Sequence, residues 1–138
     1  MNVVIDSSAL VAYCLKEKAC DAGKISEILR NGAISPDIIV TETANAILIA
    51  SRRGLVEIDT AKKALDSALQ VTSVNLKMIS QSELVLGAYD LAEETKLTVY
   101  DALFVFLAKK TKSSLASVDE GQLRVATDLG IKQIELRM

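Results

Sequence analysis

The chain has 138 residues, half of them hydrophobic, which suits one domain, residues 1–138, with a substantial core and leaves no room for a second. Sixteen basic and 18 acidic residues give a formal charge of −2, so the broad basic footprint of a protein that grips nucleic acid by charge alone is missing. Histidine is absent, which removes the commonest general acid/base, and the two cysteines, Cys14 and Cys20, match neither a redox pair nor a four-ligand zinc pattern and are expected in the core.

In chain order, residues 2–6 form a short β-type run that ends at Asp6, and residues 7–16 are apolar enough for a buried helix. Residues 21–30 read as an amphipathic helix with Ile25, Ile28 and Leu29 on one stripe, stopped at Asn31-Gly32. A brief strand at 33–35 follows. Ser35 then reads as an N-cap with Pro36 at the first helical position, and this helix should run to Arg53, where Gly54 ends it. Glu42 would lie mid-helix. A further helix starts at Asp59-Thr60 and reaches about Gln70, after which residues 71–79 carry β-type side chains. Residues 82–96 form another amphipathic helix, Thr98 caps a helix over 99–110, and residues 114–118 make a small-residue strand. Residues 120–129 are helical with Gly130 as the stop, and 132–136 form a last strand.

The longest unbroken apolar runs, 9–15 and 102–108, fall far short of the roughly 18 residues of a membrane span. The N-terminus also lacks the basic segment and long apolar stretch of a secretory signal, so a cytoplasmic protein with no membrane association is expected. Strands and helices in alternation predict an α/β fold of three layers, α/β/α, with a central, mostly parallel sheet. In such folds binding sites lie beyond the carboxyl ends of the strands. Asp6 and Asp119 are both at such ends.

Four carboxylates interrupt core-like segments. Asp6 ends the run Val3-Val4-Ile5, Glu42 lies in an otherwise apolar helix, Asp101 opens 102–108, and Asp119 ends Leu115-Ala116-Ser117-Val118. An ionised carboxylate in a dry environment is costly unless compensated, and a divalent cation is one compensation. Helical spacing puts Glu42 on a stripe with Ile38, Asn45 and Ile49, which should face the protein, and Asp101 with Phe104, Val105 and Ala108. Each acid also has a purely local reading. Asp6 can be the N-cap of the first helix, Asp119 can form a capping box with Gln122, and Asp101 can be the third-position acid of a box opened by Thr98. Glu42 has no capping role mid-helix, but a lysine or arginine elsewhere in the fold would neutralise it.

Across nearly its whole length the chain resembles the PIN domains, and within them the VapC-type toxins of toxin-antitoxin pairs. The resemblance rests on Val4-Ile5-Asp6-Ser7-Ser8-Ala9-Leu10, on Ser35-Pro36-Asp37 followed by Glu42-Thr43-Ala44-Asn45-Ala46-Ile47, on Thr98-Val99-Tyr100-Asp101-Ala102-Leu103, and on Ser117-Val118-Asp119 with Leu123. It implies that Asp6, Glu42, Asp101 and Asp119 form one catalytic, metal-binding cluster, with Ser8, Asn45 and Ser117 supporting it. Ser117 stands where the family often has threonine, and Glu120 is an alternative to Asp119 as the fourth acid.

The resemblance further implies endonucleolytic cleavage of RNA with Mg2+ or Mn2+, a cognate antitoxin as partner, and a homodimer built on the helix at 59–70 or the one at 82–96. Oxygen ligands suit a hard cation that activates water and stabilises charge on the phosphate, and such chemistry needs no histidine. Arg52-Arg53, Lys109-Lys110 with Lys112, and Arg124 are candidate phosphate contacts, although basic residues in a last helical turn also complement the helix dipole. Two phenylalanines, three tyrosines and no tryptophan leave little for a base-stacking platform. The rival reading is a catalytically silent PIN-like module that binds RNA or a protein. A receiver-type signalling domain would want a further acidic pair, whereas Asp6 is preceded by Ile5 and followed by Ser7-Ser8, and a haloacid-type phosphatase would want an aspartate where Ser8 stands.

Overall fold

The computed structural model describes residues 2–138. Its strands β1 (Val3–Ile5), β2 (Ala33–Pro36), β3 (Leu76–Ile79), β4 (Ser114–Ala116) and β5 (Gln133–Ile134) make one sheet in the order β3-β2-β1-β4-β5, every neighbouring pair parallel. Val4 is central, registered with Ile34 on one side and Leu115 on the other. Parallel strands need helical crossovers, which cover both faces of the sheet, and the central strands are correspondingly apolar throughout. Val4, Ile5, Leu115 and Ala116 are wholly buried.

The helices are α1 (Ser7–Cys14), α2 (Ala22–Asn31), α3 (Ile39–Arg52), α4 (Ile58–Val74), α5 (Val85–Glu94), α6 (Val99–Thr111) and α7 (Glu120–Asp128). They pack as two groups, with α1 against α2, α3 and α4, and α6 against α5, α7 and the sheet. Right-handed crossovers put the first group on one face and the second on the other, giving the expected α/β/α layers. The chain moves outward from β1 to β3, returns through α5 and α6 to β4 on the other side of β1, and so reverses direction between β1 and β4. That boundary is a topological switch point, where an open parallel sheet leaves a crevice at its carboxyl edge. Within α6, Ala102 to Val105, Leu107 and Ala108 are all buried, so this helix is apolar around its circumference and forms the centre of its layer.

Three segments depart from the sequence reading. Ser35 and Pro36 end strand β2 and do not open a helix; α3 begins at Ile39 with no side-chain cap. The N–H groups of Ala33 and Asp37 point to β3, at Asn75 and Ile79, so by alternation the missing N–H of Pro36 falls on the β1 side, past the Val4–Ile34 register. The β-type residues after Gln70 continue α4 to Val74, because buried Thr72 extends the packed face of Ala61, Ala64 and Ala68, and packing outweighs β propensity. The strand is confined to Leu76–Ile79. Finally, the helix expected from residue 82 is a short 3₁₀ turn, Gln81–Glu83, followed by α5. Among the described residues no helix is long and apolar enough to cross a membrane.

Candidate functional site

Asp6 leaves β1 directly into α1 and is fully buried. Its Oδ1 accepts from the Ala9 backbone N–H at 2.9 Å, so it is the N-cap of α1. Ser8 Oγ lies 2.8 Å from both carboxylate oxygens, and Ser117 Oγ donates to Oδ2 at 2.6 Å. The same two hydroxyls accept backbone protons of the β4–α7 turn: Val118 N–H donates across to Ser8 Oγ at 3.1 Å, and Asp119 N–H donates to Ser117 Oγ within the turn at 2.9 Å. Two serines thus stitch the β1–α1 turn to the β4–α7 turn. Ser8 and Ser117 both hydrogen-bond the Asp6 carboxylate.

Burial pushes the Asp6 carboxyl up to about 6 from its ordinary 3.8, against the pull of the Ser117, Ala9 and Ser8 hydrogen bonds, and the charge of Asp119 pushes the same way. Three donors fail to offset the lost hydration. Asp119 is the N-cap of α7, its Oδ2 accepting the Gln122 N–H at 2.9 Å. Asp101 sits in the first turn of α6, where its own N–H caps onto Thr98 Oγ1 at 3.1 Å and its Oδ1 accepts from Gln122 Nε2 at 3.2 Å. Its carboxyl is raised by burial and by the charge of Asp119, against the Gln122 and Thr98 hydrogen bonds. Glu42 Oε1 accepts from Ser7 Oγ at 3.1 Å. Burial raises its carboxyl, the Ser7 bond opposes this, and the charge of Asp101 adds to the rise.

The four acids therefore feel one another in a chain, Glu42 to Asp101 to Asp119 to Asp6, at the carboxyl ends of β1 and β4. No ion pair relieves them: among the described residues the one ion pair joins Arg137 to Glu135. Nor do three of these carboxylates converge tightly enough to hold one ion as they stand. Each is held by its own hydrogen bonds to protein, and like charges keep apart. The donor set is nevertheless all oxygen, anionic and uncompensated, which is the chemistry a hard divalent cation requires.

Other expected positions fall differently. Glu42 is in the first turn of α3, not mid-helix, because the helix starts three residues later than read. The buried stripe of α3 is Ile39, Thr43 and Ile47, so Asn45 is exposed and Ile49 is 38% exposed, and the stripe through Ile38, Asn45 and Ile49 does not face the core as a whole. Glu120 is exposed and its charge is felt by Arg137, which leaves Asp119 as the acid turned toward the cluster. Arg52 and Arg53 end α3, and Lys109, Lys110 and Lys112 end α6, whose first turn holds Asp101; eight residues of helix, about 12 Å, separate Asp101 from Lys109. Arg124 is exposed on α7. Ser7 and the side chain of Gln122 were not legible as site residues, since both contacts are long-range, across 35 and 21 residues.

Residues 3–128 match the PIN domain family. Ribonuclease VapC3 of Pyrobaculum aerophilum is 30% identical over 119 residues, covering 86% of this chain and 90% of the relative. Among solved structures, VapC20 of Mycobacterium tuberculosis, described as a sarcin-ricin loop cleaving toxin, aligns over 99% of this chain and 100% of its own with a TM-score of 0.67 at 16% identity. VapBC2 of Rickettsia felis, bound to a DNA fragment from its promoter, aligns over 99% of both chains with a TM-score of 0.67 at 13% identity.

Proposed function

Because the chain belongs to the PIN domain family, we propose that it is a divalent-metal-dependent endoribonuclease, the toxin of a toxin-antitoxin pair, acting as a single domain over residues 1–138. The observation that carries this reading is the buried, hydrogen-bonded and uncompensated Asp6 at one end of a chain of four acids in which each repels the next. Asp6 and Asp101 would contact a Mg2+ or Mn2+ ion directly or through water, with Glu42 and Asp119 completing the negative shell. When bound, such an ion supplies a nucleophilic water and stabilises charge on the phosphate. Ser8 and Ser117 fix the Asp6 carboxylate so that it presents its charge in one orientation, and Ser7 does the same for Glu42.

An antitoxin is the proposed partner, covering the acidic crevice, and a homodimer is the proposed assembly. Val85, Leu86 and Tyr89 on α5 are 47%, 77% and 55% exposed, an apolar surface suited to such pairing. The catalytically silent module remains the second reading, and the observation in its favour is that among the described residues no three acids are gathered around one point.

The test is thermal unfolding of wild type and Asp101→Asn in chelator and across a Mn2+ or Mg2+ titration, followed by cleavage of a total RNA pool. Metal should raise the wild-type midpoint, by about 2.7 kcal/mol of stability at a hundredfold excess over Kd, and Asp101→Asn should lose that gain. If neither protein responds to metal, the silent module takes the place of the nuclease.

A further inference from the structure

Gln122 is not an acid, yet it touches two of the four. Its backbone N–H donates to Asp119 Oδ2 at 2.9 Å, and its side-chain Nε2 donates to Asp101 Oδ1 at 3.2 Å. The residue is 2% exposed, and its Oε1 is buried with no hydrogen-bond partner among the described residues. A glutamine this close to a helix start can fold back on its own cap and stay hydrated. Here it turns inward to a carboxylate from another helix, and carries an unsatisfied acceptor as a consequence. Buried orphan acceptors are rare enough in native proteins that each needs an explanation. The amide cannot be reversed to remove it, because a carboxylate only accepts, so Nε2 must be the atom that faces Asp101.

We infer that Gln122 is a positioning residue of the acidic site, holding the Asp101 side chain for a divalent cation at the cost of leaving its own Oε1 buried and unpaired. This rests on the metal-dependent reading above and deepens it. Asp101 is tied to Thr98 within its own helix start, through its N–H and its carboxylate, and Gln122 Nε2 is the donor that reaches that carboxylate from another helix. A neutral amide is also the right chemistry for the task. It restrains the carboxylate without neutralising it, whereas a lysine or arginine there would compete with the ion.

The experiment is a Mn2+ titration of the full chain without RNA, read by the electron paramagnetic resonance signal of free Mn2+, on wild type and Gln122→Met. Methionine fills a similar volume, keeps the backbone bond to Asp119 and loses the side-chain bond to Asp101. The expected result is a Kd at least about tenfold weaker in the variant, the range seen when partners of metal ligands are removed. Gln122→Asn keeps an amide but withdraws it by one methylene; it serves if the methionine variant does not fold, and the same loss is expected. A folded variant that binds Mn2+ within about twofold of wild type overturns the inference and leaves the metal site standing. A wild type that binds no Mn2+ overturns the metal-dependent reading, and the role of Gln122 falls with it.

Discussion

Replacing Asp6 by asparagine separates the cost of its charge from the value of its hydrogen bonds. With the folded carboxyl near 6 and the unfolded one at 3.8, the gap of about two units corresponds to about 3 kcal/mol. Below the unfolded value the group is protonated in both states and contributes nothing. Between 3.8 and about 6 the folded protein keeps a proton that the unfolded chain has released, so metal-free wild type loses stability as pH rises through that window. Above it the full cost is present. Asp6→Asn removes the titration but accepts less well from Ser8, Ser117 and Ala9, so near pH 4 it should be no more stable than wild type. Between about pH 4 and pH 8 its stability relative to wild type should then rise by about 3 kcal/mol. Urea denaturation of both proteins in chelator across that range reads the difference directly, and the other acids largely cancel. A difference that stays flat with pH would refute the claim that burial, and not the hydrogen bonds, governs Asp6.

Ser117→Ala removes the 2.6 Å bond to Asp6 and the acceptor for Asp119 N–H, so it should destabilise the metal-free protein by about 1.5–3 kcal/mol near pH 8 and by less near pH 4, measured by the same denaturation series. Gly87→Ala would place a Cβ 2.1 Å from the Phe106 ring, where α5 meets α6; overpacking of about 1–3 kcal/mol should exceed the gain of about 1 kcal/mol in helix propensity, and a rise in Tm would contradict that packing.

What could be read in the sequence was whatever depends on near neighbours. The alternation of elements, the strand-end places of Asp6 and Asp119 and the Thr98 cap are set within a few residues, and all three appear in the fold. Ser35-Pro36 misled because the pair serves a helix start and a strand end equally well, and only the limit of the β1–β2 register decides between them. Placing the start of α3 three residues early then moved Glu42 from the first turn to the middle of the helix. The contacts of Ser7 with Glu42 and Gln122 with Asp101 join segments that only the crossovers bring together. No local pattern encodes them.

Capping and clustering, which the sequence offers as rival explanations of the acids, describe the same geometry. Asp6 and Asp119 are the N-caps of α1 and α7, while Glu42 and Asp101 lie in the first turns of α3 and α6. Four helix N-termini therefore present partial positive charge to four carboxylates, each typically stabilising by about 0.3–1 kcal/mol. That does not balance burial, since Asp6, Glu42 and Asp101 all remain raised. The helix ends bring the acids together without neutralising them, and the remaining deficit is what a cation would fill. It follows that alanine is the wrong probe of this site, because it removes cap and charge at once. Asparagine caps a helix about as well as aspartate. Each Asp→Asn variant should therefore keep its helix, shed its share of the repulsion and lose affinity for metal.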